Sequence, residues 1–370
     1  MKHYPFGTRS GFLVPKLSMG AMRFPEKTED AVKLIRHAID SGFKYIDTCR
    51  RYGDSELKLK EALKDGYRDK VILSTKWAPW HEEGRFGEPS AEIILEKIEE
   101  SMERLEVNMF DFYQAWDIST PDRFQKFTAK GGMLDGILEA KKRGLLNHIG
   151  MTVHDLPENV IDYLKKSDWI EVLLVTYNMN NRDYASTLEV AKKLGIGTIV
   201  MNPVGGGLFG EESATLSALA EEVGAFSVPD MAIRYAQSNS DIDTVLVGIS
   251  KISDVDDSIA SIKRGPFADD ALEVIDRFFD LRRAERKNFC SKCNYCMPCP
   301  QGVNIPTIME AVFLQQSLGV KNRARRIYEG SGEKKAEACN KCGLCEEKCT
   351  QKLQIREHLD YALHHIAATS

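Results

Sequence analysis

Eight of the nine cysteines in this 370-residue chain fall in two runs, Cys290, Cys293, Cys296 and Cys299, then Cys339, Cys342, Cys345 and Cys349. Three thiols two residues apart in a tight loop can cap three corners of an iron–sulfur cubane, with the fourth ligand arriving from elsewhere. Zinc competes, because Cys-x2-Cys pairs also build tetrahedral sites. A zinc ion takes its thiolates as two pairs and has no use for a triplet plus an outlier repeated twice, so the spacing points to iron–sulfur. With only Cys49 ahead of them, the clustered cysteines read as metal ligands in a reducing compartment rather than as disulfides. A second set of polar residues closes one apolar run after another: Asp47, Lys76, Asp117, Thr152 with His154, Asn178 and Asn202.

The runs that position this second set are KYIDT, VILSTK, DFYQAWD, HIGMTV, EVLLVTYN, GTIVMNP and TVLVGIS, with KLSMGAM before them. They read as eight buried parallel strands. Between them lie amphipathic helical patterns, including Thr28–Ser41, Ser90–Glu106, Gly132–Arg143, Leu156–Lys166 and Tyr184–Leu194. Count and size predict an α/β fold, a (β/α)8 TIM barrel, whose functional groups collect at the carboxyl ends of the strands. A doubly wound sheet is disfavoured, because the first turn, Gly20-Ala21-Met22-Arg23, lacks the dinucleotide fingerprint. Asp269–Lys287 reads as a charged helix and Ile305–Leu318 as an apolar one between the cysteine runs. The expected division is a barrel over 1–284 and a small α-helical cysteine domain over 285–370.

Composition bounds the rest. A 43% hydrophobic, 28% charged chain has ample apolar side chain for a core, and a net charge of −5 gives no clustered basic excess for nucleic acid. No run approaches the ~18 apolar residues of a membrane span, and MKHYPFGTRSGF lacks a signal-peptide layout, so the expectation is a cytoplasmic protein. Lys321, Arg323, Arg325 and Arg326 could offset cluster charge or dock an acidic electron carrier; a solvated helix face is the competing reading.

Asp47-Thr48-Cys49-Arg50-Arg51-Tyr52-Gly53-Asp54-Ser55-Glu56, then Ser74-Thr75-Lys76 and Asp111-Phe112-Tyr113, resemble the aldo-keto reductase family, barrels that reduce carbonyls with a nicotinamide cofactor. The tail makes the chain similar to the subgroup with a C-terminal ferredoxin-like domain. In two-cluster ferredoxins the fourth cysteine of each run ligates the other cluster, which implies Cys290, Cys293, Cys296 and Cys349 for one and Cys339, Cys342, Cys345 and Cys299 for the other. The family resemblance further implies a tetrad of Asp, Tyr, Lys and His. Asp47, Tyr52 and Lys76 match, and Trp116 stands at the place of the histidine. Tyrosine, with a free pKa near ~10, is a poor acid unless a cation sits beside it, which is the role of Lys76 with Asp47 behind it. The indole of Trp116 offers one fixed N–H and cannot titrate. Three outcomes stay open: a working carbonyl reductase, a shift towards reducing an activated double bond, or a weakened enzyme. His81 is a loop candidate for the missing imidazole. Arg50 and Arg51 read either as a clamp for a substrate anion or as a surface ion pair, and Cys49 as a small buried hydrophobe.

Cofactor contacts implied by the resemblance are Thr152 for the carboxamide, Asn202 beside the ring, and Gly248, Ser250, Lys251, Asp254 and Asp257 around the adenosine end. Asp254 stands where members that use NADPH carry arginine, so charge favours NADH over NADPH. The competing reading there is a capped helix start, Ser253-x-x-Asp256. Nicotinamides deliver hydride whereas clusters move single electrons, so coupling them needs a splitter such as a flavin, for which no motif is visible. The leading reading is therefore an NAD(P)H-dependent oxidoreductase of aldo-keto reductase type acting on a small carbonyl or conjugated carbonyl, with two [4Fe–4S] clusters in its tail. The alternative is an electron-transfer or partner-docking protein that meets a ferredoxin-type carrier, its barrel site altered by Trp116. Anaerobic purification should yield about eight irons per chain at four per cluster; zinc in place of iron would remove the redox reading of the tail.

Overall fold

A computed structural model gives the fold and describes residues 1–81, 89–287, 290, 294–349 and 352–367, with backbone alone at 81 and 285–287. After an antiparallel pair, β1 (His3–Pro5) and β2 (Leu13–Pro15), come β3 (Leu17–Gly20), β4 (Tyr45–Asp47), β5 (Ile72–Trp77), β6 (Phe110–Ile118), β7 (Leu146–Val153), β8 (Val172–Thr176), β9 (Gly197–Met201) and β10 (Thr244–Gly248). Strands β3 to β10 pair in parallel and close into the expected eight-stranded barrel, β10 returning to β3. Each falls on one of the apolar runs. Every residue of β4 and β5 is buried, as expected of parallel strands covered on both faces.

The helices in chain order are α1 (Thr28–Asp40), α2 (Ser55–Ala62), α3 (Ala91–Leu105), α4 (Pro121–Thr128), α5 (Met133–Lys142), α6 (Pro157–Lys166), α7 (Ala185–Lys193), α8 (Ala214–Glu222), α9 (Val228–Ser238), α10 (Ile252–Arg264), α11 (Asp269–Lys287), α12 (Ile305–Leu318), α13 (Lys321–Glu329), α14 (Leu344–Glu347) and α15 (Ile355–Ala362). Their limits follow side-chain chemistry. Helix α1 buries Ala31, Leu34, Ile35, Ala38 and Ile39 at three- and four-residue spacing. Helix α4 starts where Thr120 accepts from the Arg123 N–H at 3.2 Å and Pro121 takes a position that needs no donor. None of the described helices is long and apolar enough to cross a membrane.

The chain separates into two compact units, Met1–Pro203 with Ile233–Pro266 and Val204–Ala232 with Phe267–Ser370. The first contains the whole barrel. In the second, α12 is buried almost all round, Ser213 ahead of α8 donates to the Leu318 carbonyl at 2.6 Å, and Arg282 of α11 donates to that of Ser317 at 2.8 Å. The second unit thus joins segments from before residue 284, carrying Ser213 and Arg282, to the C-terminal helices.

Strands β1 and β2 close the amino-terminal end of the barrel. Phe6 and Val14, with Phe12 against them, pack on Tyr45, Ile72, Phe112, Val172 and Ile199, and the Phe6 ring meets those of Tyr45 and Phe112 edge-on at 5.5 and 5.6 Å. This hairpin had no sequence signal, since three-residue strands are too short to show a period. Gly7 makes its turn possible: its φ is +60°, and a Cβ there would lie 2.4 Å from the Gly197 nitrogen and 2.6 Å from the Gly195 oxygen. Gly7→Ala should therefore destabilise the barrel by about 2 kcal/mol or more. Urea denaturation followed by tryptophan fluorescence checks this; unchanged stability would show that the plug does not need that approach.

Candidate active site

Strand register sets the centre of the site. Asp47 pairs with Ser74 across β4 and β5, and Lys76 with Gln114 across β5 and β6, so three neighbouring strands deliver their polar groups at one level. The Lys76 ammonium donates to Asp47 Oδ2 and, at 2.9 Å, to the Thr48 carbonyl. Both side chains are buried, at 1% and 3% exposed. Burial alone would strip the proton from Lys76, but the Asp47 carboxylate, with the nearby phenol and thiol, holds it protonated above the ordinary ammonium range. Neither charge could be buried alone without a large penalty.

Gln114 completes this layer. Its amide donates to the Tyr45 hydroxyl at 3.0 Å, to Ser74 Oγ at 3.2 Å and to Asp47 Oδ1 at 3.4 Å, while its Oε1 accepts from Thr152 at 2.9 Å. The sequence reading passed over Gln114, although an uncharged amide inside the apolar run DFYQAWD was the available signal. Thr152 is where expected along β7, but it is buried and spends its hydroxyl on Gln114.

Tyr52 stands in the loop between β4 and α2, its ring centroid 5.1 Å from the Lys76 nitrogen. The phenol is pushed up to about 12 by burial; Lys76 pulls it down, and the Asp47 and Cys49 charges oppose that pull. Lys76 thus acts in the direction the sequence suggests, but burial outweighs it. Cys49 is a buried thiol pushed up to about 12 by desolvation, in keeping with a packing role.

The Tyr52 loop is tied down from behind. Glu56, whose carboxylate is fully buried, accepts from Thr75 Oγ1 at 3.1 Å and from Arg104 Nε at 2.8 Å, and Arg104 Nη2 donates to the Gly53 carbonyl at 3.1 Å. Gly53 follows Tyr52 and Thr75 precedes Lys76, so one buried carboxylate links the backbones that carry both groups. Arg50 turns away to Glu100 of α3 at 3.1 Å, and Arg51 is exposed. The ion-pair reading of Arg50 describes its position better than the substrate clamp.

At the mouth, Trp116 is half-buried and its carbonyl accepts from Trp80 Nε1 at 3.0 Å. Arg123 stacks its guanidinium 5.4 Å from the Trp80 ring centroid and donates to Asp117 Oδ2 at 2.7 Å. His154 Nε2 lies 3.8 Å from Asp117 Oδ1. The side chain of His81 lies outside the described residues. Asn178 closes the end of β8 by donating to the Asn202 carbonyl at 2.9 Å, and Asn202, with φ +55°, is exposed.

At the start of α10, Asp254 Oδ2 accepts from the Ser250 N–H at 2.9 Å, the Ser250 hydroxyl at 2.8 Å and the Lys251 N–H at 3.2 Å. The cap is therefore Asp254 and not the Ser253-x-x-Asp256 box; Asp256 pairs instead with His37 of α1 at 2.8 Å. Gly248, Ser250, Lys251 and Asp257 are exposed around this turn, which leaves their backbone reachable by a ligand. A phosphate there would meet a carboxylate already using the turn's donors.

In the second unit one pocket is lined by Cys299, Cys339, Cys342 and Cys345, the set expected for one cluster, together with Cys296, which was expected at the other. Arg356, held by Glu346 at 2.7 Å, and Lys348 bring positive charge to the same pocket. Among the described residues no three His, Cys, Asp or Glu side chains close on a single metal ion. A cubane offers four separated iron corners, so soft thiols spread round a pocket fit it. Cys290 and Cys349 are described, and Cys293 lies outside the described residues.

The sequence model of the Aldo/keto reductase family matches residues 16–280, and that of a 4Fe-4S dicluster domain matches 289–354. L-galactose dehydrogenase of Arabidopsis thaliana is 27% identical over 267 residues, covering 66% of this chain and 81% of its own. The uncharacterized oxidoreductase YqkF of Bacillus subtilis is 22% identical over 303 residues, covering 74% and 95%. Among solved structures, the holo form of aldo-keto reductase AKR11C1 from Bacillus halodurans superposes with a TM-score of 0.64 at 24% identity, over 75% of this chain and 96% of that one. That likeness is one of fold.

Removing the buried carboxylate strands Arg104 and frees the Tyr52 loop. Glu56→Ala should cost about 3 kcal/mol of stability, read by denaturant unfolding of the full chain; a loss below about 1 kcal/mol would show that the bridge is not a structural tie.

Proposed function

The chain belongs to the aldo/keto reductase family and carries a 4Fe-4S dicluster domain, and on that premise we propose that it reduces a small aldehyde, ketone or conjugated carbonyl with NAD(P)H, with Tyr52 as the proton donor. The single observation that carries this reading is the buried Asp47–Lys76 ion pair placed against the Tyr52 ring. Asn202 and the turn Gly248–Asp257 would hold a nicotinamide, which would supply a hydride to the carbonyl carbon. The chain's own residues must then meet the negative charge that grows on oxygen.

Tyr52 is suited to that task. A phenol pushed up to about 12 is fully protonated near neutral pH, so the donor is loaded before the reaction begins. An alkoxide is a stronger base than a phenolate, so the proton runs downhill once charge has built up. The phenolate left behind is stabilised by the Lys76 ammonium, and Asp47 and the Thr48 carbonyl keep that ammonium aimed. Trp116 shapes the pocket wall. Asn202 and the turn Gly248–Asp257 are proposed to hold the cofactor, with Thr152 acting through Gln114 from below. Asp254 at the α10 start supports NADH over NADPH, since a 2′-phosphate would be repelled by a carboxylate that a 2′-hydroxyl could engage. The tail is proposed to hold two [4Fe–4S] clusters on its eight cysteines, the functional parts being 1–284 and 285–370.

The test is nicotinamide oxidation by the full, anaerobically purified chain against a panel of small aldehydes, ketones and enones. Tyr52→Phe should lower kcat/KM by about 10²- to 10⁴-fold with little change in cofactor affinity, and turnover should persist to about pH 10 before falling as the phenol ionises towards 12. Unaltered turnover on the best substrate in the Phe variant would overturn the mechanism. A chain that oxidises no nicotinamide yet passes single electrons through its clusters would favour an electron-transfer protein instead.

A further inference from the structure

The family's imidazole position is occupied by Trp116, whose indole cannot change charge. The adjoining strand brings an imidazole to the same mouth. Strands β6 and β7 run side by side, pairing Ala115 with Met151 and, past an irregularity, Ile118 with Val153; the His154 N–H then donates to the Ile118 carbonyl at 3.0 Å. The inward face of β7 is fixed by Gly150, where a Cβ would lie 3.1 Å from Gln114, and by Thr152, which bonds Gln114. His154 lies two residues past Thr152, immediately after the end of β7, and so at the carboxyl-terminal mouth of the barrel. The histidine inside β7, His148, lies at the opposite end, stacked on Phe112 and paired with Glu171.

His154 is also placed as a working group. Its ring nitrogen Nε2 is 3.8 Å from Asp117 Oδ1, while Arg123 of α4 holds the other carboxylate oxygen at 2.7 Å, so the carboxylate is a fixed anchor only 10% exposed. The imidazole itself is 45% exposed and within reach of a ligand. Three charged groups from three elements act on it. Burial lowers its pKa below 6.5, Asp117 of β6 raises it, and Lys76 of β5 and Arg123 of α4 lower it, which places it within the field of the ammonium that serves Tyr52.

We propose that His154, with the Asp117 carboxylate beside its ring, is a further catalytic residue that supplies the titratable hydrogen-bond donor to the substrate oxygen that Trp116 cannot supply. This rests on the hydride-transfer reading of the same site. The proton that ends on the substrate oxygen comes from Tyr52; the imidazole keeps its own and stabilises the growing charge by hydrogen bonding. Its donation is strongest when protonated, so kcat/KM is expected to rise as pH falls through an inflection below 6.5.

The test compares kcat and KM against pH for the full cluster-loaded chain and for His154→Gln, Asp117→Asn, Tyr52→Phe and the double variant Trp116→His/His154→Gln, on the best carbonyl of the panel. Expected for His154→Gln are a fall in kcat of about tenfold to hundredfold at the acid end and loss of the inflection, with cofactor affinity and iron content unchanged. Asp117→Asn should move the inflection to lower pH, and the imidazole restored in the double variant should recover kcat. A His154→Gln enzyme with the parental kcat and profile, while Tyr52→Phe is crippled, overturns the role of His154 and leaves the function standing. If Tyr52→Phe is also unimpaired, the hydride-transfer reading fails with it. Because the parent's own pH profile must show the inflection, its absence there overturns the proposal even if His154→Gln does not fold.

Discussion

A lysine ammonium and an aspartate carboxylate sealed inside the barrel are the constraint to which the site answers. Separated, each would face a desolvation penalty that a barrel interior does not repay. Together they demand a geometry: Asp47 and Lys76 on adjacent strands, the Thr48 carbonyl to accept from a second N–H of the ammonium, and the amide of Gln114 to cover the remaining carboxylate oxygen. Gln114 in turn needs Tyr45, Ser74 and Thr152. The polar layer is a network in which each member limits the others, and the Tyr52 ring stands against its ammonium. Burial raises the phenol and the ammonium pulls it back, so the hydroxyl is kept protonated beside a positive charge.

Tightness beneath the site contrasts with adaptability at its rim. The lower end of the barrel is plugged by aromatic rings, and the Tyr52 loop is moored by Glu56 and Arg104. Above them, Trp116, Trp80, Arg123, Asp117 and His154 form a mixed aromatic and charged edge. In the tail the chemistry differs in kind: soft thiols spread round a pocket suit iron–sulfur clusters, whereas the barrel buries a hard ion pair against a phenol.

Much of the barrel was legible because its signals are periodic. The eight apolar runs became the eight strands, and α1, α3, α5, α6 and α7 begin and end within a residue or two of their patterns. Local spacing also announced the two cysteine runs. The β1–β2 hairpin escaped because strands of three residues carry no period, and the helix cap at Asp254 was placed at Ser253 and Asp256 because a capping motif can be written in more than one register. Gln114 and Glu56 were visible as letters but silent in role, since their partners lie far away along the chain.

By itself the sequence determined that a barrel with polar strand ends would form, that Asp47, Tyr52 and Lys76 would stand on it, and that thiols would gather in the tail. These are consequences of hydrophobic period and of residue type, which act over a few neighbours. The tertiary structure alone decided that Arg50 turns to Glu100, that Thr152 is spent on Gln114, that burial outweighs Lys76 in setting the Tyr52 phenol, and that the histidine following β7 lies 3.8 Å from Asp117. Each depends on desolvation and on distances between strands remote in sequence. No local pattern encodes such quantities before the barrel closes.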